Sequence, residues 1–337
     1  MKNNLFSAKQ GVALQILLAS SLLLLTACEA KLRDLYYDED SWNTVKVLFD
    51  WQEATEASPQ GMTVLFYDEA QVREPERYDY AGTTGGTASL MFGTYRAIAY
   101  NYDTETILYR NMASWQTLEA YTRQSSIEEG AQMATRSAMP MPRALGTENE
   151  PVILEPDLLW AGAGEPVKVT AGEPSTTTVT PSSRIETVEI DIYNVPNLQY
   201  TGQISGALSG LAPGVKVAKG ELLEGSVTQS FTCERIDDTT LRMRFHIFGH
   251  CPHHAEGVYN KHMLTIYAVL ADNSKWYYTL DVTEKIHNDK VEEKEEKTER
   301  IIIYIDEGLP IPKPIVNGSG FQPSIDGWQG VEIEVGM

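Results

Sequence analysis

Four histidines and a cysteine fall within nine residues: His246, His250, Cys251, His253 and His254 in the run HIFGHCPHH. Imidazole and thiolate are ligands that zinc and copper select, so this run is the first candidate for a metal. Its flank argues against all five acting together. Leu241, Met243, Phe245 and Ile247 alternate with Arg242, Arg244 and His246. That strand period puts His246 on the face of two arginines whose charge opposes a divalent cation. His250, His253 and His254 lie beyond it, in a Gly249/Pro252 turn, and are the metal-ligating candidates. The competing reading is an exposed His-rich loop that titrates between about pH 6 and 7, around the unperturbed imidazole value of about 6.5.

Other chemistry is thin. There is no G-x-S-x-G nucleophile elbow and no G-x-x-x-x-G-K-S/T phosphate loop. With 47 acidic residues, chance carboxylate pairs are certain, and nothing singles one out for glycoside hydrolysis. Trp160, Trp276, Tyr277 and Tyr278 could stack on sugar rings, which keeps carbohydrate among the partners, although packing is the commoner use of such residues. The expectation is a non-enzyme with no cofactor.

The start of the chain says where it works. Lys2 and Lys9 precede an apolar stretch, Val12–Leu25, broken only by Gln15, Ser20 and Ser21, and Leu25-Thr26-Ala27-Cys28 follows. This pattern is a secretory signal of the bacterial lipoprotein kind, with cleavage before Cys28 and lipid on its thiol and new amine. The stretch is shorter than the ~20 apolar residues of a spanning helix. Burial at roughly 0.8 kcal/mol per CH2 makes three acyl chains a permanent anchor. Net charge is −20, and removing residues 1–27, with two lysines and no acid, makes it −22. Such a surface repels nucleic acid and anionic headgroups. Residues 28–40 read as an acidic tether.

The body that must position any site reads as strands. Val45, Val47, Phe49 and Trp51 fall on one face with Lys46 and Asp50 on the other, and Met62, Val64 and Phe66 repeat the period after Pro59-Gln60-Gly61. Gly93–Asn101, then Val188, Ile190 and Ile192, then Ile301, Ile303 and Ile305, and finally Val331, Ile333 and Val335 continue the period. His262–Leu270 and Lys275–Val282 flank the turn Ala271–Ser274 as a hairpin. Ser226–Cys233 and Thr240–Phe248 read as another, turning at Asp237-Asp238. That register leaves Cys233 and Cys251 some 30 Å apart at about 3.3 Å per residue, so both are expected as free thiols. Trp115, Leu118 and Tyr121 suggest a short helix over 114–123. Residues 125–150 read as a long loop, and the KVEEKEEKTER run over 290–300 as a solvated loop. Gly172–Ser183, rich in Ser, Thr and Pro, marks the domain boundary. The expected fold is all-β, with β-sandwich domains over 41–178 and 179–337.

Several segments resemble a known family. The stretches 45–51, 59–67 and 93–101 resemble the first domain of fimbrillin-like lipoproteins of anaerobic gut bacteria, of the fimbrial anchor or accessory type. DLLWA at 157–161, VTPSSRIETVEIDIYNV at 179–195, LSGL at 208–211 and LPIPKPIVNGSGFQPSIDGWQG at 309–330 resemble the rest. The resemblance implies two tandem transthyretin-like β-sandwiches and an outer-membrane, lipid-anchored location. It also implies other fimbrial subunits as partners, joined when an extended segment completes a neighbour's sheet. Polymerising members are cut after an arginine near their start. Arg33, Arg73 and Arg77 stand in no convincing site, which favours an anchor or accessory role over a shaft. The last strand, with Val331, Ile333 and Val335, either closes its own sheet or is offered to a partner. Asp238-Thr239-Thr240 matches the short glycosylation pattern of these bacteria, with Thr239 as acceptor. The alternative function is a surface glycan-binding lipoprotein.

Overall fold

The computed structural model describes residues 41–132, 140–250, 261–288, 300–315 and 327–335. Cys28, the tether, His253, His254, Cys251 and the charge run through Glu299 lie outside the described residues. Among those described, no helix is long and apolar enough to cross a membrane.

The alternating segments form strands as their period requires, and they stack in layers. In the first half, β1 (Trp42–Phe49) lies between β4 (Gly85–Met91) and β11 (Ser175–Val179). A second sheet runs β12 (Ser182–Ser183), β9 (Trp160–Ala163), β5 (Gly93–Asn101), β2 (Gly61–Asp68), β3 (Glu76–Ala81), with β10 (Val167–Val169) also on β5. Val45 and Val47 of one sheet meet Met62, Val64 and Phe66 of the other in a common core. The Ser/Thr-rich run at 172–183 therefore carries two strands, β11 parallel to β1 and β12 antiparallel to β9.

Every residue of β2 is buried, which a one-sided alternation does not anticipate. Leu65 and Tyr67 point away from the first core and join Ile98 and Tyr100 against a third sheet. That sheet runs β15 (Gly214–Lys216), β7 (Glu119–Thr122), β6 (Ile107–Arg110). The helix expected over 114–123 is corrected here: the segment is a turn followed by β7. Leu118, Ala120 and Thr122 are buried at alternate positions while Glu119 and Tyr121 are not, so a period of two overrides the spacing of Trp115, Leu118 and Tyr121.

In the second half, β13 (Glu186–Ile192) pairs with β18 (Leu241–Ile247) and, in parallel, with β21 (Arg300–Ile305); β17 (Glu234–Arg235) adds to β18. Facing it is a six-stranded sheet, in the order β22 (Trp328–Ile333), β20 (Lys275–Asp281), β19 (Met263–Leu270), β14 (Thr201–Leu211), β16 (Val227–Thr232), β8 (Val152–Ile153). The hairpin at Ala271–Ser274 is as expected: β19 and β20 pair antiparallel, with Asn273 at φ +65° in the turn. The other hairpin is corrected. β16 pairs with β14 and β8, while β18 pairs with β13 and with the two residues of β17. Both segments carry an apolar face, and placing them in opposite sheets buries both at once. Phe231 and Phe245 stack across the gap with ring centroids 4.0 Å apart. Cys233, where the chain changes sheets, is a free thiol raised by burial.

The outer face of this six-stranded sheet is covered too. A one-turn helix, α1 (Ile127–Gly130), is capped by Ser126, whose Oγ accepts from the Glu129 N–H at 3.2 Å. It lays Ile127 with Ala131 and Met141 over Ala207 and Tyr267. The Tyr267 hydroxyl donates to the Pro142 carbonyl at 2.6 Å. A second short helix, α2 (Thr283–Asn288), follows β20.

Candidate partner-binding edge

The last described strand, β22, lies at a sheet edge. β22 lies parallel to β20, Lys275–Leu280 against Trp328–Ile333, and among the described residues the sheet continues on that side only. The strap that follows β21 is described over residues 306–315 and is tied to the body. After β21, Gly308 (φ +70°) turns where a Cβ would lie 2.4 Å from the Asn194 carbonyl oxygen, so only glycine fits. Leu309 and Ile311 are buried, and Asn197 Nδ2 donates to the Ile311 carbonyl at 2.8 Å. Ile315 N–H then donates to Asp272 at 2.9 Å. Burial pushes the Asp272 carboxyl up, but bonds from Ser274 and Ile315 outweigh it and hold the group below its usual value. Val331 and Ile333 on β22, and Val335 just after it, are partly buried against the core, and Trp328 meets Tyr267 edge to face at 5.6 Å. A Cβ on Gly330 would lie 2.4 Å from the Tyr277 hydroxyl; its absence lets the phenol lie across the strand. The strand thus docks on its own chain here, by a one-sided ladder.

Of the metal candidates, His250 alone lies among the described residues. It sits beyond β18, bridged to Leu211, with Nδ1 3.1 Å from Glu186 Oε2. Its ring neighbours are two histidines that the local run does not contain: His262, just before β19, and His287 on α2. The three ring centroids are 5.7, 5.4 and 5.3 Å apart. His262 is wholly buried, and burial pushes its pKa down to about 4, against a bond to the Ser209 carbonyl that raises it. It is therefore neutral at pH 7. A sequence signal for this grouping exists: all six histidines of the chain fall within 246–287. Spacing hid it, since the three are twelve and twenty-five residues apart.

The strand face bearing His246 is balanced rather than cationic. Arg242 donates through Nε and Nη2 to both oxygens of Asp191 at 2.7 Å, Arg300 bonds Glu189 at 2.7 Å, and His246 Nδ1 lies 3.2 Å from Glu155. The Arg242 bonds hold the Asp191 carboxyl below its usual range. Thr239 is exposed between β17 and β18, its hydroxyl bonded to Asp237 at 3.0 Å. Of the aromatics, Tyr278 is fully buried, and Trp276 packs on the core. Trp160 lines a cleft with Asn101, Asp157 and His246. The polar groups there are engaged internally. Asn101 bonds Asp103, the Leu158 carbonyl and the Trp160 N–H, and Asp157 accepts from the Glu105 and Thr106 N–H groups.

Residues 27–232, more than half the chain, match the family described as a domain of unknown function, DUF5119. The chain belongs to the DUF5119 family. It is also 26% identical, over 93% of its length and 94% of the other's, to a Bacteroides ovatus protein named "Putative fimbrium anchoring subunit Fim4B". This is the kinship that the quoted segments imply. Among solved structures it is similar to a Bacteroides ovatus protein described as a "putative adhesin". The TM-score is 0.57 at 22% identity, over 83% of this chain and 95% of that one. The fimbrial anchor protein Mfa2 of Porphyromonas gingivalis gives 0.48 at 11% identity, over 79% and 90%. The DUF5119 match ends at Thr232, the last residue of β16, so the histidine cluster, the strap and β22 all lie beyond it.

Proposed function

We propose that this DUF5119 protein is a lipid-anchored anchor or accessory subunit of a surface fimbrium, held to the outer membrane through Cys28. On this reading it carries two transthyretin-like sandwiches, divided near residue 178, whose sheet edges engage other fimbrial subunits by β-strand complementation. The observation that carries the reading is the end-to-end likeness to the protein named as a fimbrium anchoring subunit. The Leu25–Cys28 run and the strongly acidic body support the location. The edge strand with Val331, Ile333 and Val335 supports the mode of contact, since among the described residues its backbone is paired on one side, with β20. Replacing Cys28 by Ser tests the reading. The variant should be secreted yet leave the membrane fraction, and cells carrying it should shed fimbriae or bear fewer attached ones. Membrane retention would refute the lipid anchor, and normal attachment after deletion of the protein would refute the assembly role.

A further inference from the structure

The geometry points to a divalent transition-metal site of the zinc class held by His250, His262 and His287. A zinc ion about 2.0–2.1 Å from each imidazole nitrogen lies roughly 3.2 Å from each ring centre, and tetrahedral angles then set the centres about 5.2 Å apart. Here they stand at 5.3, 5.4 and 5.7 Å. Three separate elements bring them together. His250 follows β18, His262 immediately precedes β19, and His287 lies one helical turn beyond Thr283. Thr283 is tied to His262 directly: its Oγ accepts from the His262 N–H at 2.9 Å, and the Val282 N–H donates to the His262 carbonyl at 2.9 Å.

Two of the rings also make the second bond that metal-bound histidines usually make. A carbonyl and a carboxylate only accept, so His262 Nδ1–H donates to Ser209 O (3.2 Å) and His250 Nδ1–H donates to Glu186 Oε2 (3.1 Å). Those tautomers put the lone pair on Nε2, and such a second bond is the pattern that fixes metal-bound histidines. Among the described residues no three ligating groups already converge at coordination distance. The rings must therefore turn to bring three Nε2 atoms onto one centre, with water as the fourth ligand. Metal there would staple α2 to the ends of β18 and β19.

Zinc chloride titrated calorimetrically into the purified full-length protein is the test, with cobalt(II) absorption reporting geometry. The expected result is one ion per chain, a tetrahedral cobalt spectrum and a melting temperature raised by zinc and lowered by a chelator. His287→Gln, on a part-exposed helix, should weaken binding at least tenfold with unchanged circular dichroism. Glu186→Gln should weaken it by about 10–100-fold through His250. His262→Gln is read only alongside these, because a buried site can fail to fold. No stoichiometric binding would overturn the proposal. So would affinity unchanged in both His287→Gln and Glu186→Gln, or binding abolished only by replacing His253 and His254.

Discussion

β22 should open well before the sheet it completes. Among the described residues it is paired on one side only, with β20. Each backbone hydrogen bond nets about 0.5–1.5 kcal/mol, while fixing one residue's backbone costs about 1–2 kcal/mol. The six-residue ladder therefore roughly offsets its own ordering entropy, and side-chain burial decides the outcome. Trp328, Val331, Ile333 and Val335 are part-buried. At about half the roughly 1.5–3 kcal/mol of full burial, each contributes about 1 kcal/mol, some ~4 kcal/mol together. At about 1.4 kcal/mol per tenfold, local opening then protects the amides of Gly330–Ile333 about a thousandfold. Ile266, Tyr267 and Ala268 of β19 are fully buried and flanked by β14 and β20. They should exchange only through global unfolding, at about 5–15 kcal/mol. Native-state hydrogen exchange reads both sets in one experiment. Equal protection in β22 and β19 would refute the reasoning, and with it the idea of an exchangeable edge.

Three further outcomes are expected. Phe245→Ala removes a buried ring stacked on Phe231 and should cost about 3–5 kcal/mol in denaturant unfolding. Gly206→Ala would set a Cβ 2.4 Å from Phe231 Cε2 and should cost about 1–3 kcal/mol. Adding Phe231→Leu should relieve the clash, leaving the double variant more stable than the sum of the singles by at least about 0.5 kcal/mol. Asp191 titrates below its unfolded value because of Arg242. Its contribution is thus full above the unfolded value of about 3.9 and is lost as pH falls through the lower folded one. The stability gap between the protein and Asp191→Asn, measured by denaturant unfolding, should shrink as pH falls from 5 toward 2; a gap that stays constant would remove Arg242 as the cause.

Alternation was legible wherever one face of a strand meets a core and the other meets solvent. Val188, Ile190 and Ile192, or Leu241 through Ile247, read correctly because Glu189, Arg242 and Arg244 face outward. It failed where both faces are covered. Thr63, Leu65 and Tyr67 carry no pattern that distinguishes burial against a third sheet from exposure, and Leu118 shares its segment with a Trp and a Tyr at helical spacing. Pairing was less legible still, since an apolar face states that a strand needs a cover and not which strand provides it. For that reason the apolar faces of 226–233 and 240–248 suggest a local hairpin, while each segment completes a different sheet. The histidine grouping was hidden for the same reason. Adjacency along HIFGHCPHH singles out one run, while His262 and His287 reach His250 through the β19–β20 hairpin and the turn into α2.

The two halves do not form separate beads. β15, from the second half, pairs with β7 of the first over Gly214–Lys216 and Glu119–Tyr121, and β8, from the first half, adds in parallel to β16 of the second. Between them Leu65, Tyr67, Ile98 and Leu118 pack with Val215, Val217 and Phe248 in one buried cluster. Arg184 crosses the same junction, Nε donating to the Val217 carbonyl at 3.0 Å, its guanidinium lowered to about 10 by burial. Relative domain motion is the default where an interface is small and polar. Here separation would break backbone ladders in both directions and expose an apolar cluster at once. Parting the two halves therefore requires the β7–β15 and β8–β16 ladders and the shared apolar cluster to open together, so they are expected to unfold in one transition.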